Sequence, residues 1–325
     1  MRRRDFITML GGAAVTWPIA ARGQESRIPV IGFINGSSET VYAAFVQAFI
    51  RGLAETGHTV GENVVIEYRW AEGHYDRIPS MVEDLVLRRV AVLAPNTPAA
   101  HAAKRAAGNI PIVFFTGEDP VASGLVESLN RPGGNMTGVS MLSVEVGPKL
   151  LELLHEAVPS ARAIALLLNP TNPNTATLSK TVQAAAQRLS LQLHVLNASS
   201  PGDFNPTFVK LHELQVAALM IGQDVFFGAE TERLAKLSSE YRIAAINAQR
   251  EFAAAGGLMS YGANQRDLYY QAGVYAGRIL KGEKPSDLPV IQAVKLDLVI
   301  NLKTAKSLGL NVPLPLLGRA DEVIE

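Results

Sequence analysis

Short apolar runs alternate with amphipathic segments along the first part of the chain. The runs are rich in β-branched residues and end in polar or glycine-containing turns, as buried strands do. The amphipathic segments carry apolar residues at helical spacing, such as Phe45, Phe49 and Leu53. The pattern predicts strands at 28–34, 64–70, 90–94 and 112–115 and helices at 41–55, 75–88 and 99–107. Such alternation over short loops predicts a parallel, right-handed, doubly wound sheet.

The second part of the chain repeats this organisation without repeating the sequence. The same criteria predict strands at 163–168, 192–197, 217–221 and 243–246 and helices at 146–157, 177–189, 204–214 and 229–241. A short strand within 256–262, a long helix at 267–280, a strand at 296–301 and a helix at 302–308 follow. The chain therefore consists of two similar α/β units and not of one large sheet.

The segment 111–140 connects the two units. Its strand ends in the polar turn 116–119, a short helix is expected over 121–129 with Asp119 as its cap, and the glycine-rich run 130–140 leads to the second unit. Further crossings are expected near 258–262 and 288–296. They give a first lobe of 27–138 plus 262–290 and a second lobe of 139–261 plus 291–325.

The predicted fold class is thus α/β, with two doubly wound parallel-sheet lobes joined by three crossing segments. Ligands of open α/β sheets bind beyond the carboxyl ends of the strands. We therefore expect a ligand cleft between the lobes, and hinges of this type close around small molecules.

The amino-acid composition argues against several classes of function. The chain has 325 residues, of which 48% are hydrophobic, and its 30 basic residues balance 30 acidic ones, so charge gives no reason to expect a nucleic-acid partner. It has no cysteine, which excludes disulfides and thiolate metal ligands, and its six histidines are dispersed along the sequence. We expect no metal and no cofactor.

The N-terminus has the organisation of an export signal. Arginines at 2–4 precede a short apolar region, and Ala21 and Gly23 supply the small residues of a processing site. Arg3-Arg4-Asp5-Phe6-Ile7 also resembles a twin-arginine signal. The sequence predicts a twin-arginine signal peptide at 1–23, cleaved near Gly23, and a periplasmic protein.

Polar residues follow the strand ends of the first unit and would share one rim of the cleft. Thr97 and Pro98 begin a helix whose free N–H groups suit a carboxylate or another anion. Each position also has a purely structural interpretation, as a helix cap or a turn. Their convergence at one sheet edge favours ligand contact, and the candidates from this unit are Asn35, Ser37, Thr97, Thr116 and Gly117.

The second unit contributes three candidates from its own strand ends. Asn169 follows one strand, and Asp224 follows another, where its carboxylate can pair with an ammonium group. Phe226 lies beside Asp224 and can form an apolar wall. The alternatives are that Asp224 caps the next helix and that Phe226 belongs to the core, and the sequence leaves them open.

Motifs for catalysis and nucleotide binding are missing. The chain has no Gly-x-Gly-x-x-Gly after its first strand, no phosphate-binding loop motif, no Gly-x-Ser-x-Gly and no His-Glu-x-x-His. A nucleophile, base or metal must be placed together for catalysis, and no motif indicates such a set. We therefore predict a binding protein and not an enzyme.

Several segments of the chain form recognisable motifs. They are Arg-Arg-Asp-Phe at 3–6 and the segments 68–73, 111–114, 119–121, 130–138, 169–173 and 255–261, of which Asn-Arg-Pro-Gly-Gly-Asn-Met-Thr-Gly at 130–138 is the most specific. Together these motifs resemble the ABC-transporter substrate-binding protein family that includes the tryptophan/tyrosine-type binding proteins.

The resemblance covers nearly the whole chain and implies a type I periplasmic binding fold. It also implies a monomeric receptor that closes on an amino acid or a related carboxylate and delivers it to an ABC permease in the inner membrane. Its site residues would be Asn35, Ser37, Thr97, Thr116, Gly117, Asn169 and Asp224. The alternatives are a ligand sensor for a signalling partner and a periplasmic enzyme.

Overall fold

The computed structural model describes residues 28–141, 146–293 and 295–325. The predicted signal peptide at 1–23 lies outside these residues. No helix in the described ranges has the length and apolar character that crossing a membrane requires. The described residues form two sheets, each with helices on both faces, which confirms the predicted fold class.

The first sheet has the strand order β11-β5-β4-β3-β1-β2, and its strand pairs are parallel. The strands are β1 (Val30–Asn35), β2 (Val65–Trp70), β3 (Val92–Pro95), β4 (Ile112–Thr116), β5 (Met136–Ser140) and β11 (Ile291–Gln292). Its helices are α1 (Glu39–Glu55), α2 (Ile78–Leu87), α3 (Thr97–Ala106) and α10 (Gln265–Leu280).

Alternate residues of these strands enter two separate cores. Phe33 and Phe115 pack beneath α1 and α10, whereas Ile34 and Phe114 pack beneath α2 and α3. Because both faces are covered, β3 and β4 are buried along their whole length. This is why their sequences are continuous apolar runs with no polar alternation.

The helix that returns from the second lobe docks closely on α1. A Cβ atom added at Gly52 would lie 2.0 Å from the Tyr270 carbonyl oxygen, and one added at Gly273 would lie 2.0 Å from the Phe49 carbonyl oxygen. Only glycine leaves room for the two backbones to approach this closely. The contact fixes the start of α10, and with it Gln265, at the edge of the cleft.

The second sheet has the order β13-β12-β10-β9-β8-β6-β7. The strands are β6 (Ala163–Leu168), β7 (Gln192–Asn197), β8 (Ala218–Ile221), β9 (Ala244–Asn247), β10 (Met259–Ala263), β12 (Leu296–Asn301) and β13 (Glu322–Ile324). The helices are α4 (Gly147–Ala157), α5 (Thr175–Arg188), α6 (Phe204–Glu213), α7 (Val225–Ala229), α8 (Thr231–Glu240), α9 (Arg250–Ala254), α11 (Leu302–Leu308) and α12 (Leu314–Leu317). The pairing of β10 with β12 is antiparallel, because the chain enters β12 directly from the first lobe.

The chain changes sheets slightly later than the sequence predicted. Val139 and Ser140 pair with Ile291 and Gln292 in the first sheet, and β10 extends to Ala263 in the second. From these pairings we propose that each lobe boundary lies about two residues further toward the C-terminus than 138, 262 and 290.

The helix expected over 121–129 is absent, and the described chain there forms turns and bends. The Asp119 carboxylate accepts hydrogen bonds from the backbone N–H groups of Val121 and Ala122, as a cap does, but Gly124 then adopts a φ of +73°. A residue in this left-handed region stops a right-handed helix after its first turn. The short helices α7, α9 and α12 were not predicted from the sequence either.

Candidate functional site

The carboxyl ends of most strands of both sheets face each other across a narrow cleft. A cavity of about 40 Å³ lies in it, room for very few water molecules. Both lobes line this cavity, through Tyr42, Thr97, Pro98, Gly117, Met141 and Gln265 from the first and Asn172, Asn174, Gln223, Asp224, Val225 and Gln249 from the second. The structure thus brings Thr97, Gly117 and Asp224 of the predicted residues together.

The first-lobe rim is held by neutral hydrogen bonds between neighbouring turns. The Asn35 side-chain oxygen accepts from the Ser37 N–H at 2.8 Å and from the Asn96 amide at 3.2 Å. The Asn96 side-chain oxygen accepts from the Gly36 N–H at 3.2 Å. Asn35 therefore shapes the turn after β1 and lies outside the cavity lining.

Two polar groups of this rim are buried without a well-formed hydrogen bond. Among the described residues the Ser37 hydroxyl has no hydrogen-bond partner, although the residue is only 3% exposed. The Asn35 side-chain nitrogen makes no bond of normal geometry, although it lies close enough to the Tyr269 hydroxyl to influence it. Because buried polar groups are normally satisfied, the Ser37 hydroxyl is an available donor at the edge of the cleft.

Thr97 and Gly117 bond to each other across the rim. The Gly117 N–H donates to the Thr97 hydroxyl oxygen at 3.0 Å, and this hydroxyl donates weakly to the Phe115 carbonyl at 3.5 Å. Thr116 is fully buried, and its hydroxyl accepts from the Glu118 N–H. Thr97 and Gly117 line the cavity, whereas Thr116 supports the turn behind them.

Asp224 is the charged group of the second-lobe rim and is 5% exposed. It caps α7, since its Oδ1 atom accepts from the Phe226 N–H at 2.8 Å. Oδ1 also accepts from the Asn169 side chain at 3.1 Å, and Oδ2 accepts from the Asn172 side chain at 2.6 Å. Capping and a place at the cavity, which the sequence left as alternatives, are thus both true of Asp224.

Burial dominates the titration of Asp224. It raises the pKa of the carboxyl above its usual range, while the hydrogen bonds from Asn169, Asn172 and Phe226 act in the opposite direction. Such a carboxylate gains from a cationic partner, because the surrounding protein supplies only neutral donors. Asn169 holds Asp224 from behind and does not line the cavity.

The ring of Phe226 lies in the core, which corrects its predicted role as an apolar wall of the cleft. It stacks on Phe204 with ring centroids 5.3 Å apart and joins the cluster beneath the second sheet. The cause is its position in α7, where the backbone N–H that Asp224 caps faces the cleft and the side chain turns inward. Val225, the preceding residue, lines the cavity instead.

Sequence reasoning missed two tyrosines of the first lobe. Tyr42, on α1, lines the cavity, and Tyr75, between β2 and α2, donates its hydroxyl to Asp224 at 3.1 Å from Oδ2 and 3.3 Å from Oδ1. Burial, and next the charge of Asp224, raise the pKa of both tyrosines, so both hydroxyls remain protonated donors. A tyrosine at helical spacing is typical of the hydrophobic core, and no local sequence signal distinguishes such a tyrosine from one that faces the cleft.

A larger hollow of about 540 Å³ adjoins the cavity on the side of the crossing segments and shares Gln249 and Gln265 with it. Its charged residues pair with one another, among them Arg250 with Glu322 at 2.7 Å and Lys295 with Asp297 at 2.7 Å. In the described part of the chain, no group of three or more acidic or histidine side chains is placed to hold a metal ion.

Comparison with known proteins gives related chains of similar extent. The family model for ABC transporter substrate binding proteins matches residues 27–324. A tyrosine-binding protein of Clostridioides difficile (strain R20291) is 27% identical over 266 residues, which are 81% of this chain and 76% of that protein.

Two solved structures are each 26% identical and cover 91% of this chain and 99% of their own. The first is an ABC domain in complex with L-Trp from Streptococcus pneumoniae, with a TM-score of 0.81. The second is the ligand-free, open structure of a substrate binding protein with adhesive properties from Clostridium difficile, with a TM-score of 0.63.

Proposed function

This chain belongs to the ABC transporter substrate binding protein family, and on that premise we propose that it is a receptor whose two lobes close on a small solute, an amino acid or a related amine-bearing carboxylate. It then delivers this ligand to an ABC permease. The observation that carries the ligand class is the buried carboxylate of Asp224 at the cavity between the lobes.

The ligand's ammonium group binds at Asp224. The three donors that the second lobe supplies to this carboxylate are neutral, so its charge is not balanced from within that lobe. An ammonium group makes a charge-assisted hydrogen bond, which is roughly twice as strong as a neutral one. A cationic ligand group therefore gains more at this position than any neutral group of the same size.

The ligand's carboxylate faces the first lobe. The Ser37 hydroxyl there is buried and has no partner in the part of the chain that the structure describes, and the N-terminal end of α3 reaches the cavity through Thr97 and Pro98. Hydroxyl donors and helix N-termini both favour anions. The two rims thus fit the two ends of a zwitterion.

The relatives support an amino acid as the ligand. One is named a tyrosine-binding protein, and another was solved with L-Trp. The hollow that continues from the cavity past Gln249 and Gln265 offers space for a large side chain. We therefore place aromatic amino acids first among the candidates.

The family and the N-terminus support the proposed location and partner. A twin-arginine signal at 1–23 directs the chain to the periplasm, where it acts as a monomer and meets its permease. No step of this role requires a metal, a cofactor or a catalytic residue.

A thermal-shift screen tests the proposal. Purified chain without its first 23 residues is heated with each proteinogenic amino acid and with a set of organic acids. A ligand that binds the folded state raises the unfolding temperature by mass action. For each active compound, the N-acetyl derivative removes the ammonium charge and the methyl ester removes the carboxylate.

We expect an amino acid to stabilise the protein, and both derivatives to lose most of the shift. Stabilisation by organic acids alone, or equal shifts with the N-acetyl derivatives, would reject the assignment of Asp224 to an ammonium group. The absence of any shift across the whole panel would reject the receptor for amino acids.

A further inference from the structure

A hydrogen bond across the cleft already occupies Asp224. Tyr75 belongs to the first lobe and Asp224 to the second, and the phenol hydroxyl lies 3.1 and 3.3 Å from the two carboxylate oxygens. The Tyr75 ring also lies against the rim backbone, because a Cβ added at Gly36 would be 2.9 Å from its Cε1 atom. The bond therefore ties the two lobes together at the centre of the proposed site.

The other partners of Asp224 cannot easily leave it. One is the backbone N–H of Phe226, and Asn169 and Asn172 are fixed because their own side-chain oxygens accept from the N–H groups of Thr171 and Asn174. Tyr75 is the partner that comes from the opposite lobe, so it departs when the lobes separate. An incoming ligand donor must take the position of the Tyr75 hydroxyl.

We propose that Tyr75 is an internal competitor for Asp224 that sets the threshold a ligand must exceed, an inference that rests on the proposed function. A neutral ligand donor only replaces one neutral hydrogen bond with another and gains almost nothing. An ammonium group replaces the neutral phenol with a charge-assisted bond and gains the difference. Tyr75 thereby lowers the affinity of every ligand by the same amount, so that only a ligand that gains the charge-assisted bond still binds tightly.

The competition has a quantitative signature. Every ligand must displace the Tyr75 hydroxyl from Asp224. The free energy of this displacement is the same whatever the charge of the ligand. Removal of the hydroxyl should therefore strengthen the binding of charged and neutral ligands by the same factor, about fivefold, as expected for one neutral hydrogen bond. A tyrosine that contacts the ligand directly gives the opposite result, because its removal weakens binding.

The deciding variant is Tyr75→Phe, which keeps the ring against Gly36 and deletes the hydroxyl. Titration calorimetry measures the affinities of wild type and variant for the best amino acid of the screen and for its N-acetyl derivative. Tyr68→Phe is the matched control, since Tyr68 also lies in the first lobe but stacks on Trp70 outside the cavity lining. Thermal unfolding verifies that both variants fold.

We expect Tyr75→Phe to bind both compounds about fivefold more tightly, and Tyr68→Phe to bind as wild type does. We also expect small-angle scattering to give a larger radius of gyration for Tyr75→Phe than for wild type when no ligand is added. Unchanged or weaker affinity in Tyr75→Phe overturns the inference while the receptor function stands. If neither wild type nor Tyr75→Phe binds any compound of the panel, the receptor function fails and the inference fails with it.

Discussion

The two rims of the cleft are both formed by turns at strand ends, but their polar groups are arranged differently. The first-lobe rim consists of small neutral groups that bond to one another, as Asn35 does with Asn96 and Thr97 with Gly117. The second-lobe rim concentrates its donors on one buried carboxylate, Asp224. In the proposed receptor, the second lobe would provide the charge that selects the ligand, and the first lobe would provide neutral groups that complete the site on closure.

The aromatic residues of the two rims also differ, because some rings face the cleft and others face the core. On the first lobe Tyr42 and Tyr75 face the cleft, and Tyr42 is backed by Tyr269, whose ring stacks on Phe115 at 4.2 Å. On the second lobe the ring of Phe226 points into the core. A phenol can reach the cleft and still hydrogen-bond there, whereas a phenyl ring gains most from full burial.

The largest expected effect comes from a substitution in the core that packs behind the second-lobe rim. Phe226→Ala removes a ring that stacks on Phe204, and we expect the free energy of unfolding to fall by about 3–5 kcal/mol, as for other buried phenylalanines. Chemical denaturation measures this loss. The affinity of the folded fraction should remain unchanged, because the backbone N–H that Asp224 caps is retained. A loss of affinity at constant stability would show instead that the Phe226 side chain lines the cleft.

Asp224→Asn tests whether the charge of the second rim selects the ligand. The variant keeps the size of the side chain and loses its negative charge, so we expect affinity for the amino acid to fall by at least about 100-fold, or roughly 3 kcal/mol. Calorimetry measures the affinity. Asp119→Asn is the matched control, since Asp119 lies on an exposed first-lobe turn and its Oδ1 atom, which Asn retains, makes the turn bonds.

Thr97→Val should have an intermediate effect on the first rim. The change removes the acceptor of the Gly117 N–H and leaves that group unpaired beside the cavity. We expect affinity to fall about tenfold, which corresponds to one lost hydrogen bond of roughly 1.4 kcal/mol. Thr116→Val changes the same residue type behind the rim and serves as the control. Equal losses in both variants would show that the rim acts only through general distortion.

Ser37→Ala should separate binding from stability. The Ser37 hydroxyl has no partner within the described protein, so its removal should leave the unfolding temperature unchanged or slightly higher. If the hydroxyl binds the ligand's carboxylate, affinity should fall about fivefold. Thermal unfolding and calorimetry on the same sample provide both values. A stability loss without an affinity loss would place Ser37 outside the site.

The smallest expected effect is the pH dependence of stability that arises from Asp224 on the second-lobe rim. Burial raises the folded-state pKa of Asp224 above its unfolded value. Its contribution to stability is therefore fully present below the unfolded pKa and is lost as pH rises through the folded pKa. We expect the difference in unfolding temperature between Asp224→Asn and wild type to shift in favour of the variant across that window, and to stay constant above it. A difference that is independent of pH would contradict the raised pKa.

Local signals determined most of the secondary structure. The predicted strands at 163–168, 192–197 and 296–301 and the helix at 302–308 have the bounds that the structure gives to β6, β7, β12 and α11. Apolar period, caps and turn residues act within a few positions, so they can be read from the chain directly. The same signals placed Thr97 and Gly117 at strand ends of the first sheet and Asp224 at a strand end of the second, on the edges of the two sheets that face the cleft.

Tertiary structure decided which of these groups face the cleft. The sequence could not tell whether Phe226 lines the cavity or the core, because both are apolar surroundings and the choice depends on how α7 leaves its cap. It also gave no sign of the bond between Tyr75 and Asp224, whose partners are 149 residues apart and belong to different lobes. Periodicity reports that a residue is buried, but the partner it is buried against is set by the packing of distant segments and by the closure of the two lobes.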